Sequence, residues 1–301
     1  VETDQCPADF AATEPEDDRF LRAFQAAGIG DFSFGYLLVY RDDVRVSVVP
    51  YFLTDYRMDT LVTSRWLKPL LAPLGFRVAC VGHPSTDAGR IEGEISAEIL
   101  AAVNRVLREK GAAIAYKWFT QALPLEGFIE VDGLPVSVLA AGADYPAGLS
   151  RNARRNVMRR LRKSASLDFR EYAPDNPLPA GAVADLLRLY EATAARADLQ
   201  FERLNADYFR LTAPFSNYLF AFEGRQLIGF VQWMRKGPRM SGKYLGMDYA
   251  RNRQYDLYFS MILQSVLRAA AGGVREFDLG VGGYFSKRLI GAVQRPTRLY
   301  F

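Results

Sequence analysis

The chain has 301 residues, half of them apolar and 13% aromatic, with 38 Lys+Arg against 34 Asp+Glu. That length is more than one hydrophobic core usually serves, so about two domains are expected, and the composition excludes disorder, collagen and low complexity. Two cysteines and a single histidine exclude a disulfide framework, a zinc knuckle and any relay needing two imidazoles, which leaves no metal expected and a reducing, cytoplasmic compartment. No apolar run approaches the ~18–20 residues of a spanning helix, and the first residues lack the pattern of a signal peptide. The net charge of +4 is local: residues 150–164 (SRNARRNVMRRLRKS) hold seven Arg/Lys and no acid.

In chain order, residues 17–28 read as a short helix with acids at its start and glycine at its end. Segments 32–40 and 44–53 read as a hairpin around Arg41-Asp42-Asp43. Helix 64–73 then leads to strand 76–82, helix 94–110 leads to strand 112–119, and a strand over 128–139 closes the half. After a loop at 140–148 comes the basic helix, followed by strand 167–172, helix 180–197 and a helical piece near 206–213. Three strands, 217–223, 226–234 and 241–249, precede a helix over 255–271 that is apolar almost all round and therefore belongs between layers. Strand 275–280, helix 284–290 and strand 293–301 end the chain. Helices alternating with strands predict an α/β fold, divided into domains at 1–148 and 149–301.

Four stretches carry a family likeness: the basic helix LSRNARRNVMRRLRK, EGRQLIGFVQW, KYLGMDYARNRQYDLYFSMIL, and the ending VREFDLGVGGYFSKRLIGA with Asp278, Gly280, Tyr284, Lys287 and Gly291. The second half resembles the GNAT acyltransferase superfamily, in its tandem-domain branch with the FemAB-like and CelD-like transferases. In the first half, VACVGHPSTDAGRIEG resembles a segment of the same relatives. The resemblance implies two GNAT-like domains in tandem, mixed sheets flanked by helices, that transfer an acyl or aminoacyl group to an amine. It also implies a cosubstrate in place of a bound cofactor, either acyl-CoA or acyl carrier protein. Leu245, Gly246, Met247 and Tyr258 fall where that family holds its donor, and Arg251 and Arg253 lie in a following loop, 249–255, that lacks the usual phosphate-cradling glycines.

Four side chains are the catalytic candidates. His83 follows a strand in Gly82-His83-Pro84-Ser85-Thr86-Asp87 and can take a proton from an ammonium, or else simply hold the turn. Glu202, between two helices and flanked by apolar residues, is either a base or an ion-pair partner of Arg203. Tyr284 and Lys287 share a helix face and can assist a leaving group, or else Tyr packs and Lys snorkels. On the basic helix, Arg151, Arg155, Arg159, Arg162 and Lys163 occupy one arc and Ala153, Val157 and Leu161 another, which suits a solvated face, an anionic membrane, a tRNA backbone or donor phosphates.

The expectation is therefore an N-acyltransferase of the non-aminoacyl kind, moving an acyl group from a thioester to an amine, including a long-chain amine or sphingoid base, with no covalent enzyme intermediate. Peripheral attachment to the inner membrane face goes with the lipid version. Two alternatives are an aminoacyl-tRNA-dependent FemAB-like transferase and an inactive GNAT-fold binding module.

Overall fold

The computed structural model describes residues 1–57, 75–140, 142, 144–196 and 202–301. The helix expected over 64–73 lies outside the described residues. Two compact units divide the chain: one comprises Val1–Ala11, Gly30–Pro135 and Pro296–Phe301, the other Ala12–Ile29 and Val136–Arg295. A single cut at 148/149 therefore misplaces three segments.

In the first unit, β1 (Glu2–Thr3), β2 (Ser33–Arg41), β3 (Val44–Arg57), β4 (Gly75–Val81), β5 (Glu92–Gly93), β6 (Ala113–Phe119), β7 (Glu130–Asp132) and β15 (Arg298–Tyr300) form one sheet, ordered β1-β2-β3-β4-β6-β15-β7 with β5 beside β3. The β2–β3 hairpin turns on Asp42 and Asp43, both at positive φ, the backbone of the two-residue turn that matches strand twist. Helix α2 (Ala97–Glu109) is started by Ser96, whose hydroxyl takes the Ile99 N–H, and crosses over between the parallel strands β4 and β6. Its apolar face buries Ile99, Leu100, Val103 and Leu107 against Val81 and Tyr116.

The second unit's sheet joins β8 (Val136–Ala140), β9 (Asp168–Tyr172), β10 (Asn217–Glu223), β11 (Gln226–Lys236), β12 (Arg239–Met247), β13 (Glu276–Asp278) and β14 (Val293–Arg295) in the order β14-β8-β13-β12-β11-β10-β9. Its helices are α1 (Asp18–Ala26), α3 (Arg151–Lys163), α4 (Ala182–Ala194), α5 (Ala206–Thr212), α6 (Tyr249–Tyr255), α7 (Leu257–Ala271) and α8 (Tyr284–Leu289). Helix α7 links the parallel strands β12 and β13, and its Leu257, Met261, Leu263 and Val266 are fully buried with Ile228 and Phe277. Burying such side chains contributes ~1.5–3 kcal/mol each, which is why a helix apolar on every side is stable between layers.

Both halves thus share one order: antiparallel strands, then a parallel pair with a helical crossover, then two more strands. The two strands read as continuous are each broken. Segment 128–139 splits at Gly133-Leu134-Pro135 into β7, at the edge of the first sheet, and β8, in the second. Segment 293–301 splits at Pro296-Thr297 into β14, at the edge of the second sheet, and β15, in the first. Proline supplies no N–H for a ladder, which weakens pairing at each break. No helix among the described residues is long and apolar enough to cross a membrane.

Candidate functional site

The second unit's sheet opens at one place. Strand β12 pairs in parallel with β13 only over Arg239–Ser241, after which Leu279 and Gly280 bond to Ser137 of β8 instead. On its other side β12 runs against β11, with Val231 opposite Leu245 and Trp233 opposite Gly242, so Lys243 and Tyr244 both face the single residue Gln232. That is a β-bulge, an extra residue that bends the strand and re-aims its side chains.

The bulge gathers polar groups. The Lys243 side chain is 2% exposed, and its ammonium pairs with the Glu16 carboxylate, which also accepts from Ser241 Oγ at 2.9 Å. Tyr244 Oη donates to Glu202 Oε1 at 2.7 Å. Around it Tyr190 and Tyr208 pack edge to face, with ring centroids 5.8 and 5.3 Å away. Tyr208 Oη donates to Gln232 Oε1 at 3.0 Å, and Gln232 Nε2 donates to Tyr218 Oη at 2.9 Å. Every buried polar atom of this chain costs free energy unless it is paired, so the network holds its members in one arrangement.

Glu202 is placed by its backbone as well. Tyr190 Oη donates to the Glu202 carbonyl at 3.3 Å and accepts the Leu204 N–H at 3.2 Å. Asn205 caps α5 by accepting the Tyr208 N–H at 3.0 Å, and its amide donates to the Ala27 carbonyl at 2.7 Å. The expected partner Arg203 turns to Glu191 instead, at 3.5 Å. Burial and the Glu202 carboxylate hold the Tyr244 phenol well above its ordinary value. Burial, Tyr218 and the two carboxylates Glu202 and Glu16 do the same for Tyr208. Both phenols stay protonated at neutral pH, so Tyr244 orients the carboxylate and the carboxylate is the group able to take a proton.

His83 lies in the first unit, 3% exposed. Its ring stacks on Phe34 at 5.2 Å, and Nδ1 accepts the Ser85 N–H at 3.3 Å with Ser85 Oγ at 2.9 Å. Lys117, also buried, closes the loop by donating to the carbonyls of His83, Pro84 and Thr86 at 3.1, 2.9 and 2.9 Å. A Cβ on Gly89 would lie 2.2 Å from the Lys117 carbonyl, so this loop is packed on β6. The parallel pair β4–β6 stays zipped through Val81 and Tyr116. His83 is thus buried in a turn held by Lys117 and belongs to a different unit from Glu202.

The other candidates are also repositioned. Lys287 is 6% exposed and donates to the carbonyls of Gly280 and Val281 at 3.0 and 2.9 Å, so its charge is directed at its own loop. Tyr284 Oη is buried with no hydrogen-bond partner among the described residues. A Cβ on Gly246 would sit 2.3 Å from Phe230 Cε1 and 2.7 Å from the Leu189–Tyr190 backbone, so this glycine exists to let α4 lie on the sheet. Met247 is core, its N–H donating to Thr193 Oγ1 at 3.2 Å, and Leu245 is partly buried against that core.

The expected loop 249–255 is the helix α6, capped by Asp248, with a break at Asp256 in the left-handed region. Arg251 pairs with Glu223 at 3.1 Å, and the Arg253 carbonyl accepts from Lys163 at 2.6 Å. The Tyr258 N–H is taken by Asn252 Oδ1 at 3.1 Å. On α3, Arg160 lies off the arc of Arg151, Arg155, Arg159, Arg162 and Lys163, and it is the buried arginine of that helix. Its guanidinium lies 3.4 Å from the centre of the Phe259 ring and 3.6 Å from Asp256, and burial lowers its pKa. Its position on the apolar arc beside Val157 was the available signal.

Among the described residues no group of three or more His, Cys, Asp or Glu side chains is placed to hold a metal ion. Both cysteines are buried, and burial pushes the Cys80 thiol up to about 12.

Residues 151–288 match the acetyltransferase (GNAT) domain family. That match supports a GNAT-type acyltransferase. No curated protein matches the chain by sequence. Among solved structures, the chain is similar to the C-terminal domain (DUF2156) assigned to a lysylphosphatidylglycerol synthetase of Agrobacterium fabrum, at 12% identity and TM-score 0.59 over 96% of this chain and 87% of that one. It is similar to FemX at 9% identity and TM-score 0.57, covering 94% and 90%. A tandem GNAT protein from the clavulanic acid biosynthesis pathway matches at 11% identity and TM-score 0.53, covering 94% and 87%. At such identities the likeness concerns the fold, and the fold is two GNAT-like α/β domains in tandem.

Proposed function

We propose that the chain is an N-acyltransferase whose transfer step runs in the second unit, with Glu202 as general base. The observation that carries this reading is the Glu202 carboxylate, held by Tyr244 at the bulge where β12 parts from β13. The acceptor ammonium gives one proton to Glu202, and the neutral amine attacks the acyl carbonyl carbon. The bond to the leaving sulfur or oxygen then breaks, and the second nitrogen proton goes to the departing thiolate or alkoxide. Tyr284 remains the candidate for delivering that proton, its hydroxyl having no partner among the described residues. The first unit has a supporting role in this reading, its His83 being buried in a turn that Lys117 holds through backbone carbonyls.

An acyl thioester of coenzyme A or of a carrier protein is the first donor in this reading, and an amine-bearing small molecule or lipid is the acceptor. An aminoacyl-tRNA donor is the second, favoured by one observation: the amides of Ala250 and Tyr258 are already engaged by Asp248 and Asn252, which leaves less cradle for a pyrophosphate. The likeness to FemX supports the same alternative.

The test presents acetyl-CoA, palmitoyl-CoA and bulk aminoacyl-tRNA separately, each with a mixture of amine acceptors, to the wild type and to Glu202→Gln. Transfer from one donor, falling about 10²–10⁴-fold in the variant with the fold retained, is expected for a general base. Equal transfer by the variant refutes the assignment of Glu202, and no binding or turnover with any donor refutes the acyltransferase reading.

A further inference from the structure

We propose that α3, with α8 beside it, is a docking surface for an anionic lipid bilayer. At 100° per residue, the exposed Arg151, Arg154, Arg155, Arg159 and Arg162 fall within one arc of about 140°, opposite the buried Val157 and Arg160. No acid lies on the helix. Asp256, which faces the helix, is occupied by Lys163 at 3.0 Å and Arg160 at 3.6 Å. Nothing on this helix therefore repels a negative headgroup, and the face is complementary in charge to a sheet of phosphates.

Two apolar side chains decide for a bilayer over a polynucleotide. Met158 sits in the middle of the arginine arc and is 41% exposed, and Phe285 of α8 is 69% exposed. The C-terminal end of α8 is tied to the segment that leads into α3. Leu149, just before α3, packs at Gly291, and Tyr145 Oη donates to the Ile290 carbonyl. At the other end Gly283 lies against Tyr258, at the start of the helix that Arg160 and Lys163 anchor through Asp256. Arginine heads among protruding apolar tips are the pattern of a segment lying in the headgroup layer, where the tips enter the acyl boundary and the heads meet phosphate. A phosphate backbone would use the arginines and leave Met158 idle. The inference does not depend on which donor the second unit uses.

The test is co-sedimentation with vesicles of phosphatidylcholine alone, and of three parts phosphatidylcholine to one part phosphatidylglycerol, in rising salt, beside a tRNA filter-binding assay. The wild type is expected on the anionic vesicles only, released as salt shortens the screening length. Reversing Arg155 and Arg159 to Glu should weaken vesicle binding about tenfold or more with an unchanged melting temperature, since both are exposed. Phe285→Ser should weaken vesicle binding several-fold and leave any tRNA retention unaltered. Equal partition onto neutral and anionic vesicles, or no partition at all, overturns the proposal. Arginine-dependent retention of tRNA without vesicle binding overturns it in favour of an RNA surface.

Discussion

Replacing Gly246 by Ala separates two explanations for a glycine at the end of β12. If it serves donor approach, an added methyl should raise the donor KM and leave the fold alone. The structure argues for packing instead, because the new Cβ would meet Phe230 Cε1 at 2.3 Å and the backbone of Leu189 and Tyr190 at 2.7 Å. The ring can swing, but the α4 backbone has to move bodily, so the overpacking cost is about 1–3 kcal/mol. For a unit of this size that lowers Tm by about 2–4 °C per kcal/mol. Displacing α4 also displaces Tyr190, which packs on Tyr244 and fixes the Glu202 carbonyl, so kcat should fall along with stability. Thermal denaturation followed by circular dichroism measures the first effect and turnover the second. Gly148→Ala, where nothing lies within 4 Å, is the control. An unchanged Tm for Gly246→Ala, with donor KM alone raised, would refute the packing argument.

His83→Ala should cost about 2–4 kcal/mol by removing a buried, stacked ring, visible in urea unfolding, while any pH limb of turnover stays where it was. Loss of that limb with stability intact would restore His83 to the chemistry. Lys287→Met should destabilise by about 1–3 kcal/mol by orphaning the Gly280 and Val281 carbonyls, and donor affinity by calorimetry should hardly change. Cys80 should resist a thiol reagent at pH 8 until the protein unfolds. Because burial raises its folded pKa from 9.0 to about 12, the stability it contributes is full below pH 9 and is lost as pH rises toward 12, so reaction in the native state at pH 8 would contradict its burial. Together with Glu202→Gln, these variants divide the candidate residues into those that hold the fold and those that meet substrate.

Much of the architecture is legible in one dimension. The Asp42-Asp43 turn, the alternation of β3, the all-round apolar α7 and the two-sided α3 follow from periods of 2 and 3.6 residues and from turn chemistry, which are local properties. The likeness around 217–292 likewise anticipated the acetyltransferase domain that residues 151–288 match. Glu202 was visible as a carboxylate in apolar company, although its partner is Tyr244, 42 residues on, and not the adjacent Arg203.

What the chain alone left open depends on register and on where distant segments meet. The period-2 pattern of 128–139 and 293–301 says that each can be a strand, but not that Pro135 and Pro296 divide each between two sheets. The bulge at Lys243–Tyr244 exists only as a mismatch against Gln232 of β11, so no reading of β12 by itself reveals it. Glu16 reaches Lys243 across more than two hundred residues of chain. A basic side chain in sequence is equally an exposed charge or a buried clamp, and tertiary packing made Arg155 the first and Arg160, Lys117 and Lys287 the second. The sequence by itself determined the elements and the fold class, because propensity and periodicity act within a few residues. Only the tertiary structure decided which polar groups share a buried space, since burial and pairing are properties of neighbours that the folded chain alone brings together.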